Sequence, residues 1–163
     1  MLFLTTEEAA ERLNDLDEVD AIIFGSPTYF GSMSAGMKAF IEASIDRWTS
    51  RAWQDKIAGA FTTSLNFSGD KVNTLTGLVI AAMQQGMIFV SLGVLPGHNE
   101  RNAFATLEGP TSKAINRLDG SVGPMAATFE ADEPLAEGDI ATGEGYGARV
   151  ATVTAQFLQG RAA

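Results

Sequence analysis

The sequence predicts an α/β protein with an open parallel sheet and helices on both of its faces, folded as a single domain over residues 1–163. Two observations indicate this class. Short runs of β-branched and aromatic residues alternate with longer amphipathic segments, a pattern typical of strand–helix–strand units. The short runs are also apolar almost throughout, as expected for strands that are buried on both faces. A chain of 163 residues buries roughly 70% of its unfolded surface, so a single core is sufficient.

Three runs fit such strands. The first covers residues 20–25 and ends at Gly-Ser-Pro, the second covers residues 56–63, and the third covers residues 87–92. Each is short, mostly apolar and bounded by turn-forming residues. Residues 93–137 contain scattered Gly and Pro, and we expect them to be mostly loop.

Four segments have helical periodicity. The first opens with a Thr-x-x-Glu capping box at Thr5. The second begins near Ser34 and carries apolar residues at helical spacing as far as Trp48, and Asp70 is placed to cap the third. The fourth, near the C-terminus, is weakened by Gly143, Gly145 and Gly147.

The composition excludes several classes of function. Asp and Glu total 20 against 11 Lys and Arg, a formal net charge of −9, which disfavours binding to nucleic acid and to anionic membrane surfaces. No apolar run approaches the ~20 residues that span a bilayer. The chain has no Cys and one His, His98, so we expect no metal site, no catalytic histidine and a cytoplasmic location.

A polar and aromatic segment directly follows the first strand. The carboxyl ends of parallel strands form the ligand-binding edge of such sheets. Pro27 fixes φ, Gly31 lets backbone come close to a ligand, and an aromatic pair next to them can stack on a flat ring. The alternative is an ordinary turn whose aromatic side chains fold into the core. The candidate binding residues are Ser26, Pro27, Thr28, Tyr29, Phe30, Gly31 and Ser32.

The second strand ends in a comparable loop, rich in hydroxyl groups. Because neighbouring parallel strands end at the same edge, the two loops are expected to converge on one site. Ser68 or Asp70 can also cap the following helix, and that simpler interpretation is compatible with ligand binding. The candidate binding residues of this loop are Thr62, Thr63, Ser64, Leu65, Asn66 and Gly69.

Several short motifs occur in a fixed order along the chain. They are the run from Asp20 to Gly31, then Met37-Lys-Ala-Phe40, Trp48, Asp55-Lys56, Thr62-Thr63-Ser64, Gln85-Gly86-Met87 and Gly120-Ser-Val-Gly-Pro-Met125. Their order and spacing resemble those of the flavodoxin-like, FMN-dependent NAD(P)H:quinone oxidoreductases of the tryptophan-repressor-binding-protein branch. The Ser-Pro-Thr-Tyr-Phe-Gly run is the most specific of these motifs.

The resemblance implies a flavodoxin-like fold that binds FMN, with the first loop cradling the flavin ring and the second contacting its edge. It implies that Trp48 lines the substrate cavity, often across a subunit contact, and that Gln85 stands where the family has a histidine. It implies NAD(P)H and a quinone-like acceptor as partners, and a homo-oligomer, either a dimer or a tetramer. No catalytic acid or base is assigned, because the flavin carries the chemistry.

The sequence departs from the family in three places. Gln84-Gln85 replaces a histidine pair, and the second loop is bulkier than the family's Gly-rich one. The first strand and its phosphate-binding loop have no counterpart before Thr5, which would leave the strand at residues 20–25 with an unpaired edge. We interpret the sequence as N-terminally incomplete, with residues 1–4 as the remnant of a second strand.

The function that follows from the resemblance is an oxidoreductase that passes electrons from NAD(P)H through FMN to a quinone or similar acceptor. Two alternatives stay open. One is a flavodoxin-type carrier that passes single electrons between proteins, which suits an acidic surface. The other is a degenerate flavodoxin-like module without FMN, which the missing phosphate loop favours.

Overall fold

The computed structural model describes residues 1–97, 112–128, 130 and 132–162. In these residues, groups of one or two helices alternate with groups of one or two strands along the chain. The elements are α1 (Thr6–Glu11), α2 (Leu13–Asp17), β1 (Ala21–Tyr29), β2 (Ser32–Met33), α3 (Ala35–Ala43), α4 (Ile45–Ser50), β3 (Ile57–Ser64), α5 (Lys71–Gln84), β4 (Ile88–Phe89), β5 (Met125–Ala127) and α6 (Glu137–Arg161).

The strands form one sheet in the order β2-β1-β3-β4, and β5 pairs with the distal part of β3. β1 and β3 are parallel and in register from the pair Ala21 and Ile57 to the pair Pro27 and Thr63. β4 and β5 are also parallel to β3, whereas β2 is antiparallel to β1. The predicted parallel α/β sheet is confirmed.

β1 is longer than predicted, because it continues past Gly25 to Tyr29. The amide of Ile57 donates to the carbonyl of Asp20. Backbone groups alternate in direction along a strand, so the even-numbered residues of β1 bond to β3 and the odd-numbered residues point away from it. Pro27 is odd-numbered, so its missing N–H removes no bond of this ladder.

The third predicted strand is shorter than expected, and β5 lies in the region predicted to be loop. Only Ile88 and Phe89 pair with β3 in this run, and β5 pairs with β3 from Thr62 onward. Between the two, the amide of Ala60 donates to the hydroxyl of Tyr146 (3.2 Å), which donates to the carbonyl of Val90 (2.6 Å). A side chain from α6 thus completes the hydrogen bonding on this edge of β3, between the residues that pair with β4 and those that pair with β5.

The predicted helix starts are confirmed at Thr5, Ser34 and Asp70, but the predicted cap by the Asp70 side chain is not. Thr5 forms both bonds of its capping box, and the hydroxyl of Ser34 accepts from the amide of Met37 at 3.2 Å. Asp70 occupies the N-cap position with a left-handed φ of 55° and no capping bond from its side chain, so its predicted role is wrong. The single helix predicted from Ser34 to Trp48 is interrupted at Ser44.

Helices cover both faces of the sheet, as predicted. The larger core lies between the sheet and α1, α3 and α5, and it contains Phe24, Phe40, Trp53, Leu75 and Leu78. The smaller core lies under α6 and contains Ile57, Val90, Leu92, Tyr146 and Val150. The three glycines of α6 do not interrupt the helix, and a Cβ at any of them would meet nothing within 4 Å.

α6 leaves part of its face of the sheet uncovered. Ile23 and Phe61 on the sheet and Ile140 on α6 are 39%, 44% and 47% exposed, and they line a groove of about 380 Å³. Among the described residues, no strand pairs with the edge of β1 before Thr28. Residues 1–4, expected as the remnant of a strand, form none.

We expect Tyr146→Phe to lower the free energy of unfolding by about 1–3 kcal/mol, because it leaves the buried amide of Ala60 without an acceptor. Urea denaturation of the variant and of the wild-type chain measures the loss. Tyr29→Phe is the control: the residue is 63% exposed, and we expect a change below ~0.5 kcal/mol. Equal effects of the two substitutions would contradict the role assigned to the Tyr146 hydroxyl.

Candidate functional site

The loops that follow β1 and β3 meet at the carboxyl edge of the sheet, as predicted. The side-chain amide of Asn73 donates to the carbonyl of Gly31 at 2.7 Å. Gly31 has a φ of 72°, and a Cβ built on it would lie 3.5 Å from the Cβ of Asp70. We call residues 29–32 the hairpin loop and residues 64–70 the β3 loop. Together they form the candidate site.

The hairpin loop is a two-residue turn with Phe30 and Gly31 at its centre. Tyr29 pairs with Ser32 across the turn, and the φ angles of Phe30 and Gly31 are 49° and 72°. Two positive φ values match the turn that suits the twist of paired strands. Glycine adopts this conformation at no steric cost, whereas phenylalanine adopts it only with steric strain. The turn therefore holds Phe30 under strain and fully exposed to solvent.

Three of the predicted hydroxyls point into the protein. Ser26 Oγ accepts from the amide of Ser34 at 3.0 Å. The hydroxyls of Thr28 and Thr62 are 2.8 Å apart, and Thr28 also donates to Thr74 at 2.7 Å. These bonds join β1, β3, α3 and α5 beneath the loops. Internal partners thus occupy the hydroxyls of Ser26, Thr28 and Thr62, and the ligand contacts predicted for these residues stay predictions.

The β3 loop folds around one buried ammonium. Lys71 Nζ donates to Ser64 Oγ at 2.8 Å and to the carbonyl of Asn66, and Ser64 Oγ also donates to that carbonyl. Gly69 has a φ of 55°, and a Cβ there would lie 2.5 Å from Ser64 Oγ. The side chains of Leu65 and Asn66 face solvent. Thr63 and Pro27 are half-buried, and Ser32 is exposed.

A buried ion cluster underlies the β3 loop, and the sequence did not predict it. Arg117 donates from Nε and Nη2 to the carboxylate of Asp139 at 2.8 and 2.6 Å. The guanidinium lies 5.5 Å from the centre of the Phe67 ring, and its Nη1 has no hydrogen-bond partner among the described residues. The one available signal was Lys71, because a cation in the first turn of a helix opposes the helix dipole.

The pKa of the Lys71 ammonium is lowered from 10.5 to about 8. Burial is the main cause, the Asp139 carboxylate opposes it, and the positive charge of Arg117 adds to it. Only 1% of the residue is exposed.

Trp48 and Gln85 lie at the opposite, amino edge of the sheet. α5 begins at the β3 loop and ends at Gln84, so its 14 residues separate Gln85 from that loop by roughly 20 Å. Gln85 is buried and its Nε2 donates to Ser44 Oγ at 2.9 Å, next to the helix that carries Trp48. Within one chain these two predicted substrate contacts are near each other but do not reach the candidate site.

The remaining predictions about sites concern metals and the lone histidine. Residues 1–97, 112–128, 130 and 132–162 contain no group of three or more His, Cys, Asp or Glu side chains that could hold a metal ion. His98 lies outside the described residues. None of the described helices has the length and apolar character needed to cross a membrane.

Comparison with known proteins identifies the family. The family model of NADPH-dependent FMN reductases matches residues 4–100. The chain belongs to this family. It is therefore an oxidoreductase, and the family implies a flavin cofactor. The expected resemblance to flavodoxin-like NAD(P)H:quinone oxidoreductases is confirmed.

Individual relatives agree with this assignment. The chain is 38% identical over 144 residues to "Flavodoxin FldP" of Pseudomonas aeruginosa, covering 87% of this chain and 74% of that protein. It is 41% identical over 108 residues to "NAD(P)H dehydrogenase (quinone)" of Archaeoglobus fulgidus, covering 66% of this chain but only 55% of that protein. A crystal structure of a flavodoxin, WrbA-like protein from Agrobacterium tumefaciens superposes with a TM-score of 0.66 at 38% identity, covering 90% and 73% of the two chains.

The strain at Phe30 gives a prediction about stability. Phe30→Asn should raise the free energy of unfolding by about 1 kcal/mol, because asparagine tolerates a positive φ and the exposed ring loses no packing. Urea denaturation measures the gain. Tyr29→Asn is the control, since Tyr29 lies in an extended strand, and it should not stabilise the chain. A Phe30→Asn variant no more stable than the wild type would refute the strain.

The low pKa of Lys71 predicts a pH-dependent contribution to stability. Between about pH 8 and 10.5 the unfolded chain holds a proton on this lysine that the folded chain has lost. The free energy of unfolding of the wild type relative to Lys71→Met should therefore rise with pH across this window and be flat below it. Urea denaturation of both proteins at several pH values from 7 to about 10 measures the difference. A difference that is constant with pH contradicts the shift.

Proposed function

We propose that the chain binds FMN at the candidate site, receives electrons from NAD(P)H and passes them to a quinone or similar acceptor. The observation that carries this proposal is the contact between the two loops, one of which presents an exposed aromatic pair and the other an exposed amide. Family membership supports a flavin, and relatives named NAD(P)H dehydrogenase (quinone) support the two partners.

The exposed groups of the two loops suit the ring of a flavin. Tyr29 and Phe30 offer flat apolar faces for stacking, and Leu65 adds an apolar contact. The side chains of Ser32 and Asn66 can hydrogen-bond to the polar edge of the ring. Lys71, which follows the β3 loop, is buried and cannot reach a phosphate of the ligand. The exposed groups of the two loops therefore match the ring of FMN rather than its phosphate.

When bound, FMN would supply the hydride and electron transfer. The protein's residues would bind and orient it. Phe30 and Tyr29 would cover part of the ring and keep water from it, and Asn66 would hold its polar edge at the β3 loop. NAD(P)H and the acceptor would use the uncovered face of the ring in turn. No residue of the chain is assigned a proton-transfer role.

The separation of Trp48 and Gln85 from the loops supports a homo-oligomer, either a dimer or a tetramer. In such an assembly α4 of one copy would approach the candidate site of another and bring Trp48 to the acceptor. One feature of the amino edge favours this arrangement: the apolar side chains of Ile45 and Trp48 are exposed on α4.

A flavodoxin-type carrier is the second candidate, and the 38% identity to a protein named flavodoxin favours it. The formal net charge of −9 also suits electrostatic docking to basic protein partners. A carrier with FMN would pass electrons to a haem protein such as cytochrome c, and NAD(P)H would not drive its turnover with a quinone. The reductase would show that turnover.

The proposal is tested by adding excess FMN to the purified chain and separating it by gel filtration. We expect flavin absorbance to elute with the protein at the volume of a dimer or tetramer, to bleach with NAD(P)H without oxygen, and to return when benzoquinone is added. Phe30→Ala should weaken FMN binding roughly tenfold, the value of one aromatic stacking contact.

Ile80→Ala is the matched control, because Ile80 is an exposed apolar residue of α5, and FMN affinity should be unchanged. A colourless wild-type protein would reject FMN binding and favour the module without a cofactor. Flavin that NAD(P)H cannot bleach would favour the carrier. Equal FMN affinities for Phe30→Ala and the wild type would place the ring elsewhere.

A further inference from the structure

A lysine at position 71 is energetically unfavourable for two reasons. It is the first residue of α5, where the partial positive charge of the helix dipole opposes a cation. It is also 1% exposed, and burial of an ammonium costs free energy unless hydrogen bonds compensate. Helix formation and apolar packing would both be served better by an uncharged side chain. We therefore look for the role of this lysine in the contacts that its ammonium makes.

Within the described part of the chain, the hydrogen bonds of the ammonium go to the β3 loop. Nζ donates to Ser64 Oγ at 2.8 Å and to the carbonyl of Asn66. Ser64 Oγ in turn donates to the same carbonyl at 3.0 Å. The three groups form a closed set of hydrogen bonds on the inner side of the loop. The tight approach of Gly69 to Ser64 Oγ shows how closely the loop wraps around them.

Arg117 supports the same loop from a second direction. Its guanidinium is held by Asp139 and by the carbonyl of Ala127, to which Nη2 donates at 3.1 Å. The Phe67 ring lies against it at 5.5 Å. Asp139 also accepts from the amide of Ala127 at 3.2 Å, so the cluster joins β5 to α6 beneath the loop. The loop thus rests on two buried cations and one carboxylate.

We propose that Lys71 is a positioning residue for the ligand site: it holds the β3 loop in the conformation in which Leu65 and Asn66 face outward beside the hairpin loop. The inference rests on the proposed function in taking the ligand to be FMN. Without the ammonium, the inner side of the loop loses two hydrogen bonds and samples more conformations. A ligand must then order those residues as it binds, which weakens its affinity.

Lys56 provides a matched control. Its Nζ also donates to two acceptors, the backbone carbonyls of Asp17 and Val19, but at the amino edge of the sheet. Lys56→Met and Lys71→Met therefore remove the same kind of interaction at opposite edges. Only the second removes it from the candidate site.

Hydrogen exchange of the full chain without ligand tests the positioning directly. We expect Lys71→Met to speed amide exchange at residues 64–70 at least tenfold and to leave the core of β3 and α5 close to wild type, because the loosening is local. Lys56→Met should leave residues 64–70 unchanged. Unchanged exchange in the loop, or an increase spread equally over β3 and α5, would overturn the proposal and make Lys71 a general structural residue.

FMN titration of the same proteins gives the second readout. Lys71→Met should bind FMN at least tenfold more weakly than the wild type, and Lys56→Met should bind within twofold of it. Equal affinities for Lys71→Met and wild type would overturn the positioning role. A wild-type chain that binds no FMN would instead reject the proposed function, and the exchange result would still decide whether Lys71 positions the loop. If Lys71→Met does not fold, Ser64→Ala removes an acceptor of the ammonium, and the same local increase in exchange is expected.

Discussion

The parallel ladder between β1 and β3 is the interaction on which the other features of the molecule depend. It runs in register as far as Pro27 and Thr63, so both strands end at the same height and their loops must meet. It continues through Pro27 because the backbone nitrogen of that residue faces away from β3. A ladder that ended at Gly25 would have placed the hairpin loop lower, away from the β3 loop.

The same ladder decides which residues cannot meet. α3 and α5 each begin at the carboxyl edge and return to the amino edge, because parallel strands require a crossover that restores the chain to its starting side. Trp48 and Gln85 follow those helices and so lie at the amino edge. A site that contains these residues and both loops needs more than one copy of the chain, which is why function and assembly are linked in the proposal.

At the candidate site several hydroxyl groups are buried and an aromatic side chain is exposed, the reverse of the usual distribution. The hydroxyls of Thr28, Thr62 and Thr74 are buried and bond to one another, while Phe30 points into solvent from a strained turn. Internal hydrogen bonding stabilises the ends of the strands, and the exposed ring has no packing role in the chain. Such an arrangement suits a flat, largely apolar ligand better than a polar one, in agreement with a family named for FMN.

The sequence by itself determined the features that depend on neighbouring residues. The capping box at Thr5, the start of α3 at Ser34 and the positions of the two long strands were predicted correctly, because hydrophobic period and capping are local properties. The continuation of β1 past Gly25 was not predicted. The meeting of the two loops followed from the prediction of a parallel sheet. The resemblance to a known family could also be recognised from the sequence, because each motif is a short run of consecutive residues.

Only the tertiary structure decided the rest. The Arg117 and Asp139 pair and the Tyr146 hydroxyl beside Ala60 join residues that are distant in sequence. Lys71 bonds to residues of its own loop, but the fold of that loop decides which groups accept those bonds. Whether a hydroxyl faces a ligand or the core likewise depends on what lies across the sheet. Each is set by packing between elements, and no local pattern of residues reports on that packing.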